Sequence, residues 1–228
     1  MTAFVIQVAM PEEAQPFLAA ASEASEPLRI GRAEHRGIVI DGRTVVLVVS
    51  GIGMVNAADA AAGAIHRYGP DVAIISAGTA GGLAAEVAVG DVIVGEAAVN
   101  VEADARAFGY VLGQTPGMPA SYPADERLRA ALAAGAEGVS VRVGSAGAGD
   151  KFVTVDLAHR LRELFPALLS IDMETAAVAQ TAGNHGARFA VARGVSDLCA
   201  PDASQFETHV DDAAERSARV VIAALGRL

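Results

Sequence analysis

The sequence predicts a single-domain, three-layer α/β/α fold around a central mixed, mainly parallel sheet. Short β-branched apolar runs alternate with Ala-rich helical stretches along the whole chain. Several runs are apolar on both faces, as strands covered from both sides must be. The composition, 52% hydrophobic with 4% aromatic residues and 24 glycines, suits helices packed closely on a sheet. At 228 residues the chain fits one large domain, 1–228.

The expected strands are 4–10, 37–40, 44–50, 71–78, 91–99, 139–147, 168–172 and 188–195. Asp41-Gly42, between the second and third, is a hairpin signal. A helix over 12–22 follows Pro11, which suits a first helical position. The helix over 54–68 stops at Gly69-Pro70. Further helices are expected at 124–135, 155–164, 173–184 and 207–227, with Thr154 or Asp156 capping the one at 155. Residues 105–123 form the one long irregular loop, a length that is uncommon without a role.

The formal charge is −10, with a single lysine, Lys151, and no basic block. Nucleic acid and anionic membrane are poor partners for such a surface. Cys199 stands alone, so no intramolecular disulfide is possible, which fits a reducing cytosol. The N-terminal segment lacks a signal peptide's basic region and apolar length, and no run approaches a membrane span. A soluble cytoplasmic protein is expected.

In open α/β sheets ligands bind beyond the carboxyl ends of strands. Here those ends deliver Met10, Glu12 and Glu13; Ser50-Gly51-Ile52-Gly53; a glycine-rich turn, Gly78-Thr79-Ala80-Gly81-Gly82; and Gly147-Ala148-Gly149-Asp150. The last two deliver Asp172-Met173-Glu174 and Arg193-Gly194-Val195-Ser196-Asp197. Taken singly, an acid after a strand is commonly a helix cap, and a glycine cluster is commonly a turn. SGIG lacks the Lys and Ser/Thr of a phosphate-gripping P-loop, and GTAGG is not GxGxxG. The five histidines have no metal-ligand spacing and read as surface or packing residues, so no metal or other cofactor is expected. Cys199 has no local base and reads as a buried, inert thiol.

Together these pieces resemble the 5′-methylthioadenosine/S-adenosylhomocysteine nucleosidases of the purine nucleoside and uridine phosphorylase superfamily. The matching segments are AMPEEA (9–14), SGIGMVNAA (50–58), AGTAGGL (77–83), VGD (89–91), ADARAFGYVLGQTPGMP (103–119), GDKFV (149–153), IDMETAAVA (171–179) and RGVSDL (193–198). They run in register over essentially the whole chain and imply a nucleoside phosphorylase-like fold. They also imply hydrolysis of the bond between adenine N9 and the sugar C1′.

The resemblance implies that Asp197 donates a proton or strong hydrogen bond to adenine N7, held in place by Ser196. Donation at neutral pH requires a protonated carboxyl, which burial favours. Glu174 would grip the ribose hydroxyls beside Met173, near a sugar that becomes cationic. Asp172, its neighbour once removed in IDMET, is expected to point away and cap the next helix. Glu13 would orient the attacking water, with Arg193 fixing both. Phe152 would stack on adenine, and the Val153 backbone would read the base edge. Thr79 keeps the hydroxyl of a common Ser in the glycine-rich turn, and Lys151, which departs from the family's small residue, is expected to face solvent. Met10, Ile52 and Phe206 would line an apolar slot for the 5′ substituent. Ala105, Phe108 and Pro116, on the 103–119 loop, would complete the partner's site in a homodimer.

The alternatives are a phosphorylase of the same fold, a futalosine or aminodeoxyfutalosine hydrolase, and a non-catalytic nucleoside binder. A phosphate site needs cations or N–H nests, whereas MPEEA brings two acids to the first strand's end. The binder should lack one of Glu13, Glu174 and Asp197, and all are present. The sequence sets no order among methylthioadenosine, S-adenosylhomocysteine, 5′-deoxyadenosine and aminodeoxyfutalosine. Methionine salvage, clearance of methyl-transfer products and menaquinone synthesis stay open as pathways.

Overall fold

The computed structural model describes residues 3–199 and 203–228. The chain opens with β1 (Phe4–Val8), α1 (Pro11–Ala20) and two short strands, β2 (Glu23–Ala24) and β3 (Leu28–Ile30). The hairpin β4 (Ala33–Ile40) and β5 (Arg43–Val49) follows, then α2 (Met54–Tyr68), β6 (Ala73–Gly82) and β7 (Val92–Asn100). Next come a single 3-10 turn at Arg106–Phe108, β8 (Tyr122–Pro123), α3 (Glu126–Ala133), β9 (Val141–Ala148) and α4 (Val155–Leu164). The chain ends with β10 (Leu168–Asp172), α5 (Thr175–His185), β11 (Arg188–Asp197) and α6 (Ser204–Leu225).

The strands form one mixed sheet in the order β10-β9-β7-β11-β6-β1-β5-β4-β2, with β3 on β4 and β8 on β7. The pairings of β5, β1, β6 and β11 are parallel, as are those of β7, β9 and β10. The β4–β5 hairpin and the β7–β11 contact are antiparallel. Asp41 and Gly42 both have positive φ, 51° and 74°, the geometry that a two-residue turn of matching twist requires. Helices α1, α3 and α6 cover one face and share a buried core with the sheet. Helices α2 and α5 cover the other, and α4 packs by β10. The three layers and the mixed sheet match the sequence reading.

Several features depart from it. The stretch 78–82 is not a turn: β6 continues through it to Gly82. The sheet is also not simply open. β10 pairs antiparallel with the end of β6, Ser170 with Gly82 and Ile171 with Gly81. Strands β6, β11, β7, β9 and β10 therefore close on themselves. Closure demands small residues where strands crowd. A Cβ on Gly147 would lie 2.7 Å from the Leu168 side chain and 2.9 Å from that of Val101. Thr154 does sit at the N-cap of α4, but its side chain makes no capping bond there. The final helix begins at Ser204 rather than 207, which places Phe206 in its first turn.

Candidate active site

The three acids come from the ends of elements: Glu13 from the start of α1, Glu174 from the start of α5 and Asp197 from the end of β11. Pro11 starts α1 at its first position, so Glu13 falls in the first helical turn, where acids are favoured. There the carboxylate turns inward. Its Oε2 accepts from the N–H groups of Ala9 (2.8 Å) and Met10 (3.2 Å). Its Oε1 accepts from the N–H (2.8 Å) and hydroxyl (2.9 Å) of Thr79. Glu13 is 1% exposed, whereas Glu12 faces solvent, so of the two adjacent acids it is Glu13 that enters the site. Gly78 makes room for it: φ is +126°, and a Cβ there would fall 2.5 Å from the Glu13 carboxyl carbon.

Glu174 takes the N-cap position of α5. Its Oε1 accepts from the Gly53 N–H at 2.8 Å, and its Oε2 from Arg193 Nη1 at 3.1 Å. Burial pushes its carboxyl up to about 7, outweighing the downward pull of Arg193. Arg193, on β11, is 2% exposed and also donates to the Thr79 carbonyl (3.1 Å) and the Ser76 hydroxyl (3.0 Å). Burial alone would lower its pKa, but Asp172, Glu174 and Glu13 more than offset that and hold it charged. Burial dominates at Glu174, whereas at Arg193 three acids together outweigh it.

Arg193 does not contact Glu13 directly, contrary to expectation. It reaches that acid through Thr79, whose carbonyl it holds while the same residue's N–H and hydroxyl donate to Glu13. Asp172 does cap α5, accepting from the N–H groups of Glu174 (2.8 Å) and Thr175 (2.7 Å). It does not point away from the site: it lies 3.6 Å from Arg193 Nε and lines the cavity, because Arg193 runs beneath both acids.

Asp197 ends β11 and is 4% exposed. Ser196 Oγ donates to one of its oxygens at 2.9 Å, and the Cys199 N–H to the other at 2.8 Å. Cys199 is buried and its thiol is pushed up to about 12 by that burial, consistent with an inert side chain.

These groups surround one cavity of about 170 Å³, lined also by Met10, Ile52, Thr79, Phe152, Val153, Met173 and Phe206. The rings of Phe152 and Phe206 meet edge to face at 5.9 Å and form an aromatic wall. Lys151 borders the same cavity, but its ammonium pairs with Glu102 at 3.1 Å and its side chain is 70% exposed. The structure does not bring Ala105, Phe108 or Pro116 to this cavity within the chain: Ala105 is buried elsewhere, and Phe108 and Pro116 are exposed. Sequence reasoning missed Ser76 and the backbone donors of Ala9, Gly53 and Cys199. Among the described residues, no group of three His, Cys, Asp or Glu side chains is placed to hold a metal, and no helix is long and apolar enough to cross a membrane.

A mixed sheet that closes over a pocket of buried acids defines a class, and the sequence matches the phosphorylase superfamily over residues 3–226. Among its relatives, the 5′-methylthioadenosine/S-adenosylhomocysteine nucleosidase of Geobacillus thermodenitrificans is 36% identical over 219 residues, 94% of this chain and 92% of that protein. The chain belongs to that nucleosidase family within the superfamily. The nucleosidase of Neisseria meningitidis, solved in complex with methylthio-immucillin-A, superposes with a TM-score of 0.94 at 33% identity over the whole of both chains. The futalosine hydrolase of Helicobacter pylori superposes with a TM-score of 0.92 at 25% identity, covering 100% of this chain and 98% of that one.

Proposed function

We propose that this chain hydrolyses the N-glycosidic bond of 5′-methylthioadenosine and S-adenosylhomocysteine, releasing adenine. The observation that carries the reading is the convergence of Glu13, Glu174 and Asp197, from three distant segments, on one aromatic-walled cavity. The names of the relatives and the inhibitor bound to the Neisseria enzyme support the same substrate class.

Adenine anion is too basic to leave unaided, so Asp197 donates to N7 as the bond to C1′ breaks. Ser196 and the Cys199 N–H fix the plane of its carboxyl. Positive charge develops on the sugar, and Glu174 holds the ribose hydroxyls beside it. Glu13 orients the water that attacks C1′ and takes its proton as the C1′–O bond forms. Its oxygens already accept four hydrogen bonds, about as many as a carboxylate's lone pairs allow. The water therefore displaces one donor, and the Met10 N–H, at 3.2 Å, makes the longest bond of the four. Met10, Ile52 and Phe206 take the 5′ substituent, Phe152 stacks on the base and the Val153 backbone reads its edge.

Hydrolysis is favoured over phosphorolysis by charge. Of the cations bordering the cavity, Arg193 is engaged by Glu174 and Asp172, and Lys151 by Glu102. Neither of these cations is free to bind phosphate. The homodimer reading is supported by apolar side chains on the 103–119 loop that this chain leaves uncovered: Phe108 is 82% exposed and Val111 56%. A cytoplasmic enzyme of methionine salvage is the setting this activity fits.

Adenine release from each nucleoside, with and without phosphate, tests the proposal. Turnover is expected without phosphate, and Asp197→Asn is expected to lower kcat at least about 100-fold. Strict phosphate dependence, or greater turnover of futalosine, refutes the assignment.

A further inference from the structure

The geometry points to a recognition groove outside the cavity that reads an α-amino-acid tail on the 5′ sulfur, with Arg32 as its specificity-determining residue. This rests on the nucleosidase reading above and deepens it. The groove adjoins the catalytic cavity and shares Met10 and Ile52 with it. Those two side chains are assigned to the 5′ substituent, so a substituent longer than methyl that leaves the cavity between them enters the groove. Its lining includes Arg29, Arg32 and Arg36 together with Glu34.

Three guanidinium groups in one groove are notable in a chain of net charge −10. Arg36 is engaged by Glu34 at 3.2 Å. The side chains of Arg29 and Arg32 have no hydrogen-bond or ion-pair partner among the described residues. Arg32 is also the one brought against the catalytic machinery. A Cβ on Gly51 would lie 3.0 Å from its Nε, so its side chain stands over the turn whose Gly53 N–H holds Glu174.

A homocysteine tail ends in a carboxylate and an ammonium on one carbon. An unpaired guanidinium presents a fork of donors that matches a carboxylate, and Glu34 supplies acceptor oxygens for the ammonium. A methylthio group offers neither charge. The groove therefore acts on S-adenosylhomocysteine and not on 5′-methylthioadenosine.

The test is the ratio of kcat/KM for S-adenosylhomocysteine to that for 5′-methylthioadenosine, in the wild type, Arg32→Met and Arg32→Lys. Arg32 is exposed, so the variants keep the fold. The ratio is expected to fall about tenfold in Arg32→Met, through KM rather than kcat, and to recover in part in Arg32→Lys. An active Arg32→Met enzyme with an unchanged ratio overturns the inference alone. A wild-type protein that releases adenine from neither nucleoside overturns the nucleosidase reading and the inference together.

Discussion

Glu174 allows a prediction whose size follows from its surroundings. Replacing it by Gln keeps the shape and removes the ionisable group. In the folded protein burial raises the Glu174 carboxyl from its ordinary 4.5 to about 7. The folded state therefore holds this proton more tightly than the unfolded chain does. That contribution to stability is fully present below pH 4.5 and is lost as pH rises through 7. A difference of that size corresponds to on the order of 3 kcal/mol. Gln titrates nowhere in the range, so Glu174→Gln should gain that amount relative to wild type between about pH 4 and pH 8. Acids distant from Glu174 contribute equally to both proteins and cancel in the comparison. Chemical denaturation of the pair at the two pH values measures it. Parallel stability–pH profiles would refute the argument that burial outweighs Arg193 at this position. Activity moves the other way. With Glu174 assigned to the ribose hydroxyls as proposed, losing that charged partner, worth about 1.5–3 kcal/mol, is expected to lower kcat/KM by about 10- to 150-fold, read as adenine release.

Thr79→Val removes the hydroxyl bond to Glu13 but leaves the backbone N–H bond in place. Steady-state kinetics should show kcat falling about 3- to 10-fold with KM little changed. Phe152→Ala removes the ring assigned to the base; with base–aromatic stacking worth about 1–3 kcal/mol, KM should rise at least about fivefold. Gly78→Ala sets a methyl group on the Glu13 carboxyl at a φ of +126°. It should lose about 1–3 kcal/mol of stability, seen as a lower Tm, and most of its turnover.

Much of this was legible in the sequence because local chemistry sets it. Asp41-Gly42 dictates a tight hairpin whatever surrounds it, and Gly69-Pro70 ends α2. The acids Glu13, Glu174 and Asp197 announce themselves by following apolar runs. What stayed hidden is what the tertiary fold decides. Gly78–Gly82 reads as a turn by composition, yet those glycines serve a strand that must pass close to Glu13 and pair with β10. The short strands β2, β3 and β8, of two or three residues each, are too brief to show a period. Arg193 was seen as a cation near the site, but its partners lie on β6, β10 and the start of α5. Backbone donors such as the Gly53 and Cys199 N–H groups have no side-chain signature at all.

The way Arg193 is shared bears on the chemistry. Burying a single guanidinium beneath Asp172 and Glu174 neutralises less charge than those acids carry, and Glu13 lies within its field as well. Burial, with Asp172 and Glu13 adding to it, pushes the Glu174 carboxyl up to about 7, and the site is an unfavourable place for a second anion such as phosphate. In the proposed reaction, a sugar acquiring positive charge at C1′ would supply the counter-charge that the protein withholds. The carboxylate form of Glu174 would then be favoured most as the bond to adenine breaks, so its proposed interaction with the sugar would strengthen from ground state to transition state.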